Sequence, residues 1–515
     1  MKKTRIFSRG GENIEKINEW LKDMVEYQKE ADIISKEVKD ALNNFSVGDS
    51  QKKEIIKTYI LNLIYKENKI QEVYKYFNFD NDELMSVEDK FNLLLYSYCK
   101  RYGANAFIKI IEKYKLNLLR KKGNANYYYI DESDILLIYE KEKLELTKED
   151  KVKISVQKIY SKYKGLGVID ELLSLNIDGI SGGVSNKVDG FETVWIFYKG
   201  NMMHLEFLKF SNEELKRVCE NLYRYNTLKQ LSKRTGYVIS KMKDGSRVVV
   251  ARPEFGEDWM FFVRKFNITD KNMLDIITGN GSEDVVKILR FLVKGSRNIA
   301  ITGQQGVGKT TLLTLLVEYI YDIYPIRIFE TNFELNARKL YSNKNICSFQ
   351  ETEEICIKKA LDFGKKTDGA VTIIGEVSND QVAAHIIEIA QVASRFTIFT
   401  HHAKKFEHLV MSLRNSLINI GSFKNEEIAK EQVISILEFD VHIEKDFYGK
   451  RYISRITECI KLENDRYREI NIVENEEGEF KFKNAISKEK TNEMMREMSK
   501  EDRDEFKYWI KSIYH

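Results

Sequence analysis

The stretch Ile299 to Leu313, IAITGQQGVGKTTLL, constrains the fold of this chain more than any other. A short apolar run leads into a loop with three glycines and then into a helical pattern, so a strand delivers the backbone to a turn that opens a helix. Gly303-x-x-x-x-Gly308-Lys309-Thr310 has the spacing at which loop N–H groups close round phosphate oxygens. The helix dipole adds to that attraction for negative charge. Gly303, Gln304, Gln305, Gly306, Val307, Gly308, Lys309, Thr310 and Thr311 form the expected cradle. Within it Lys309 reaches the β- and γ-phosphates and the Thr310 hydroxyl serves as a magnesium ligand.

The text after the cradle supplies the sheet that such a loop needs. Between 297 and 403, NIAIT, IRIFE, AVTIIGE and FTIFT alternate with helical patterns near 309, 353–366 and 379–392. Continuous apolar strands separated by helices imply a parallel sheet covered on both faces. In such α/β sheets, ligands bind at the carboxyl ends of the strands. Glu376, at the end of TIIGE, fits a carboxylate that holds magnesium, while Glu330, at the end of IRIFE, is either a base that positions water or a solvated strand-end acid. His402 follows the next strand as a γ-phosphate sensor or an interface residue; a metal site with His401 lacks further ligands at suitable spacing.

Composition removes other classes. With 515 residues, 43% hydrophobic and 31% charged, and a net charge of +4, the chain reads as a soluble globular protein of about three domains without the basic excess of a nucleic-acid binder. The basic start MKKTRIFSRGGEN has no apolar run behind it, and no segment approaches membrane-spanning length, which points to a cytoplasmic protein. Cys99, Cys219, Cys347, Cys356 and Cys459 form no C-x-x-C pair, against a disulfide framework or a cysteine zinc site. Asn186 to Asp189, NKVD, resembles a guanine-reading motif but precedes the cradle instead of following it, so it is set aside.

The remaining text divides the chain. Residues 1–150 read as helical, beginning with an amphipathic helix from Glu12 to Leu42 that carries Ile14, Ile17, Leu21 and Met24 on one stripe. Residues 151–268, with Gly165, Gly167, Gly179, Gly182 and Gly183 between short alternating runs, read as a small α/β domain. Residues 269–470 hold the P-loop domain, in which Ser282 is the expected N-cap of a helix. Residues 471–515 read as a charged helical tail.

These residues resemble the ATPases of type II and type IV secretion and pilus assembly, most closely the CpaF/TadA branch. The resemblance runs from about 160 to 460 through GLGVIDELLSLNIDGI, KDGSRVVVARP, FFVRKF, RIFETNFEL, IIGEV, FTHHA and RYISRITEC. It implies a RecA-like P-loop domain preceded by a PAS-like α/β domain and a helical region, and ATP with Mg2+ as cofactors. It also implies a homohexameric ring, an integral-membrane platform as partner, no stable nucleic-acid partner, and a place at the inner face of the cell membrane. By matching position, Glu330, Glu376, Lys309 and His402 are the implied catalytic set, with Arg247 and Arg264, or else Arg252, reaching the phosphates from before the cradle. Arg414 matches a further family arginine or is a helix-surface residue.

The chain departs from the family in three places. Ser378 follows G-E-V where an arginine is usual, Thr331 follows Glu330 where an aspartate is usual, and VASRF replaces a glycine-rich approach to the histidines. Two other classes therefore stand beside the motor: a nucleotide-binding scaffold with impaired hydrolysis, and a conjugation or DNA-transfer ATPase.

Overall fold

The computed structural model describes residues 18–29, 33–79, 81–184, 188, 190–223, 231–265, 272–352, 355–447, 449–462 and 466–514. The chain divides into two compact units between Asn267 and Ile268, where length alone suggests three. The NKVD segment lies outside the described residues except for Val188, as do Ile14 and Ile17.

The first unit is built on an eight-stranded sheet: β1 (Arg120–Lys122), β2 (Ala125–Ile130), β3 (Gly179–Gly182), β4 (Glu192–Tyr198), β5 (Asn201–Phe210), β6 (Tyr237–Lys241), β7 (Arg247–Ala251) and β8 (Met260–Arg264). Their order is β1-β2-β5-β4-β3-β8-β7-β6. Val194, Ile196, Leu205, Val248, Val250 and Phe261 point to one face, where helices Val87–Tyr102, Ala106–Lys113, Glu132–Glu142 and Asn212–Tyr223 bury them. The boundary expected at 150 is crossed by this sheet. Gly123 and Asn124 turn a two-residue hairpin, with Gly123 at φ +62°, and β2 then pairs in parallel with β5 through Tyr128–Met203. The helix read from Glu12 to Leu42 is two helices, 18–29 and Lys36–Asn43, because Ser35 caps the second by accepting from the Val38 N–H.

The second unit holds a nine-stranded sheet: β9 (Ile299–Thr302), β10 (Ile326–Glu330), β11 (Ile346–Gln350), β12 (Val371–Ile374), β13 (Phe396–His401), β14 (Phe439–Lys445), β15 (Arg451–Lys461), β16 (Tyr467–Glu476) and β17 (Glu479–Phe482). In the order β11-β10-β12-β13-β9-β14-β15-β16-β17, the first six strands run parallel and the last three antiparallel. The P-loop strand β9 is separated from β12 by one strand, β13, which is the RecA-like arrangement. Side chains alternate between two cores. Ile299 and Ile301 join helices Ser282–Lys294 and Lys309–Leu316, while Ala300 joins helices Asp380–Val392 and Phe406–Asn419.

Three local expectations differ. Gly281, at φ +83°, takes the N-cap of the helix that Ser282 begins. The sequence from 471 onward is not wholly helical. Glu477 and Gly478, at φ +51° and +91°, make the two-residue turn that pairs β16 with β17. The helices that follow, Lys488–Glu497 and Lys500–Tyr514, are no detached tail, since Met494, Phe506 and Trp509 are buried in the same core as Phe291. The five cysteines are free thiols.

Candidate nucleotide site

Parallel register brings the carboxyl ends of β9, β10, β12, β13 and β14 to one edge. Thr302 lies opposite His401 on one side and His442 on the other, and two residues earlier Ala300 shares a row with Phe399, Ile374 and Phe329. The P-loop leaves from Thr302. Gly303, Gly306 and Gly308 have φ +140°, +78° and +103°, a region closed to most side chains. At Gly303 a Cβ would also drive into the Ile443 carbonyl, so the first turn of the loop admits only glycine.

Lys309, the first residue of the P-loop helix, is buried and turned back over the loop. Its Nζ donates to the Gly303 and Gln304 carbonyls at 2.8 and 2.9 Å and to His402 Nδ1 at 3.2 Å. An ammonium can only donate, so Nδ1 is the acceptor and the imidazole carries its proton on Nε2. That Nε2 donates to Glu376 Oε1 at 2.7 Å. Lys309, His402 and Glu376, which lie far apart in sequence, thus form one chain of hydrogen bonds from the cradle to the end of β12.

Glu330 stands beside them on the neighbouring strand. A Cβ on Gly375 would lie 3.1 Å from Glu330 Cγ, so the glycine before Glu376 lets the two strand ends close. The Glu330 carboxylate is buried, and its Oε1 accepts from the Glu334 and Leu335 N–H groups at 2.8 and 2.9 Å. This holds the loop after β10 and directs one carboxylate oxygen to structural work.

His401 and His402 do not act as a pair. His401 Nδ1 accepts from the Ala403 N–H at 3.0 Å, and its Nε2 lies 3.2 Å from Ser412 Oγ. Burial, then the neighbouring His402 and Lys309, pushes its pKa down to about 4. Among the described residues, no group of three His, Cys, Asp or Glu side chains could hold a metal ion alone. Magnesium commonly binds through one or two protein oxygens, phosphate oxygens and water. The Thr310 hydroxyl and the half-exposed Glu376 carboxylate fit that demand as hard oxygen donors.

Behind the loop is a polar cluster that the motifs do not announce. Thr302 Oγ1 donates to Asp440 Oδ1 at 2.6 Å and lies 2.7 Å from His442 Nδ1, which donates to it. Arg455 reaches Asp440 at 3.5 Å. Burial raises the Asp440 carboxyl to about 6, against Thr302 and Arg455, and pushes His442 down to about 3, with Arg455 and Lys309 adding to it. The signal in the sequence is the alternation in FDVHIEK, which sends Asp440 and His442 to the same side of β14.

The candidate arginines of the first unit are placed within that unit alone. Arg247 and Arg264 lie directly opposite each other on β7 and β8, and the Arg264 guanidinium lies 5.8 Å from the Phe197 ring centre. Arg252 lies 5.8 Å from the Trp259 ring. Arg414 is engaged by Asn415 Oδ1 of its own helix at 2.7 Å and by Glu426 of the next helix, Glu426–Ile436, at 3.3 Å.

No family model matches the chain, and no curated protein matches it. Among solved structures it is similar to the VirB11 ATPase from the Brucella suis type IV secretion system in complex with sulphate, at 19% identity over 54% of this chain and 88% of that one, with a TM-score of 0.31. It is also similar to the Legionella pneumophila ATPase DotB, at 12% identity over 69% and 88% of the two chains, TM-score 0.42. The pilus retraction motor PilT with bound ADP matches at 14% identity over 68% and 88%, TM-score 0.40. At such scores and identities these likenesses carry no argument, and the site stands on its own geometry.

Proposed function

We propose that this protein is an ATP-hydrolysing motor of the secretion and pilus-assembly type, one that resembles the CpaF/TadA branch by motif. The observation that carries the reading is the hydrogen-bonded chain Lys309–His402–Glu376 at the mouth of the P-loop. Bound phosphate replaces the Gly303 and Gln304 carbonyls as the partner of Lys309, and the lysine charge is spent on the β- and γ-phosphates. His402 then loses its contact with the lysine while still donating to Glu376, and the loss of that contact is how it senses the γ-phosphate. Thr310 and Glu376 would hold Mg2+, which when bound would supply positive charge to the phosphates. Glu330 orients the attacking water.

In this reading the subunits form a homohexamer, and Arg247 and Arg264 supply positive charge to the phosphates from the first unit. The motion is delivered to an integral-membrane platform protein from the cytoplasmic side. Among the described residues, no helix is long and apolar enough to cross a membrane.

One observation favours a second reading, a nucleotide-binding regulator with little turnover. The Glu330 carboxylate is tied to two backbone amides, and Thr331 and Ser378 stand where the family carries charge. Phosphate release by Glu330→Gln, with the oligomer mass measured with and without ATP, separates the two. The motor reading expects a nucleotide-dependent ring and a loss of about 10²-fold or more in turnover for that variant. A ring whose wild-type turnover equals that of Glu330→Gln selects the regulator.

A further inference from the structure

We infer that Arg451, at the start of β15, binds the part of the nucleotide common to ADP and ATP, from the same unit that carries the P-loop. The inference rests on the nucleotide reading of that loop. β14 is hydrogen-bonded to β9 with His442 opposite Thr302, so the hairpin that follows continues past the point where the P-loop begins. Its turn is tight: the Asp446 N–H donates to the Lys450 carbonyl at 3.0 Å, and the Lys450 N–H donates to Asp446 Oδ1 at 2.8 Å. The returning strand then sets Arg451 against the loop. A Cβ on Gly308 would meet Arg451 Cδ at 3.7 Å and Nη1 at 4.0 Å, the only described atoms within 4 Å.

The sheet order decides which end of the ligand this arginine meets. β9 lies between β13 and β14. Lys309, His402 and Glu376 occupy the β13 and β12 side of the loop, whereas Arg451 occupies the β14 and β15 side. The loop amides cradle the α- and β-phosphates and the lysine serves the β- and γ-phosphates. A phosphate chain with its γ end toward Lys309 and Glu376 therefore presents its α and β end to Arg451.

The test is calorimetric titration of the full chain with ADP and with ATP, each with Mg2+, for wild type, Arg451→Ala and Arg451→Lys. Arg451→Ala is expected to weaken both nucleotides by the same factor, about 10- to 100-fold, as the loss of a charge-assisted contact requires. Arg451→Lys is expected to recover part of that loss for both. Saturating turnover of ATP changes less than about threefold, because binding common to ground and transition state is what is removed. An ADP affinity within about twofold of wild type in Arg451→Ala overturns the inference, and so does a loss confined to ATP. If the wild type binds neither nucleotide, the P-loop reading itself fails and the inference falls with it. Wild-type binding with Arg451→Ala unchanged removes the inference alone.

Discussion

At the scale of single residues, the site depends on buried polar groups that hold one another. Thr302 supplies the hydroxyl shared by Asp440 and His442 one residue before the loop. Thr302→Val keeps the shape and takes the hydroxyl away from Asp440 Oδ1 and His442 Nδ1 in a buried place, so urea unfolding should show a loss of about 1–3 kcal/mol. Nucleotide affinity should fall with it, because the anchor of Gly303 is loosened. His401 carries a pH signature. Its folded pKa of about 4 lies below the ordinary value of 6.5, so the unfolded chain takes up the proton first. Its contribution is intact above about 6.5 and is lost as pH falls toward 4. Asp440 acts in the opposite sense between its ordinary 3.8 and about 6, since there the folded protein keeps a proton that the unfolded chain has released. His401→Asn, which keeps an acceptor for the Ala403 N–H, should flatten the acid loss by up to roughly 3 kcal/mol in unfolding measured from pH 7 to 4. An unchanged slope would contradict the buried neutral imidazole.

At the scale of elements, what could be read in advance follows the range of the interactions that define each element. The placement of the P-loop, Glu330, Glu376 and His402 at one sheet edge was legible because strand–loop–helix texture is local and parallel strands put their ends together. Asp440 and His442 were not, because their roles arise from pairing β14 with β9 across 138 and 140 residues of separation from Thr302. The hairpins at Gly123–Asn124 and Glu477–Gly478 carried their own turn signals. They were overshadowed by charged flanks: in YREINIVENE only Ile472 and Val473 are fully buried, and such a half-exposed strand looks polar. The C-terminal helices show the same effect. They are strongly charged, yet the Phe506 and Trp509 rings lie 4.9 and 5.6 Å from Phe291, and Trp509 Nε1 donates to Asp284 Oδ1 at 3.0 Å. Trp509→Ala should therefore destabilise the second unit by about 3–5 kcal/mol in denaturant unfolding, far more than a solvated tail would allow.

At the scale of the whole molecule, the second unit contains the cradle, the Glu376 and His402 chain, and Arg451, so the proposed reading assigns nucleotide binding to it. Arg247 and Arg264 belong to the first unit, so in the motor reading binding and hydrolysis have separate requirements. Arg264→Ala should leave ADP affinity near wild type while lowering ATP turnover by about 10³-fold or more, the scale of an arginine finger. Arg451→Ala should do the reverse. The most direct measurement of the central claim is steady-state phosphate release by the purified full chain at saturating ATP and Mg2+, compared with Glu376→Gln. The account predicts continuous release by wild type and a fall of about 10²-fold or more in a variant that still binds ATP. Wild-type release no faster than that of Glu376→Gln, with both proteins binding ATP, would contradict it.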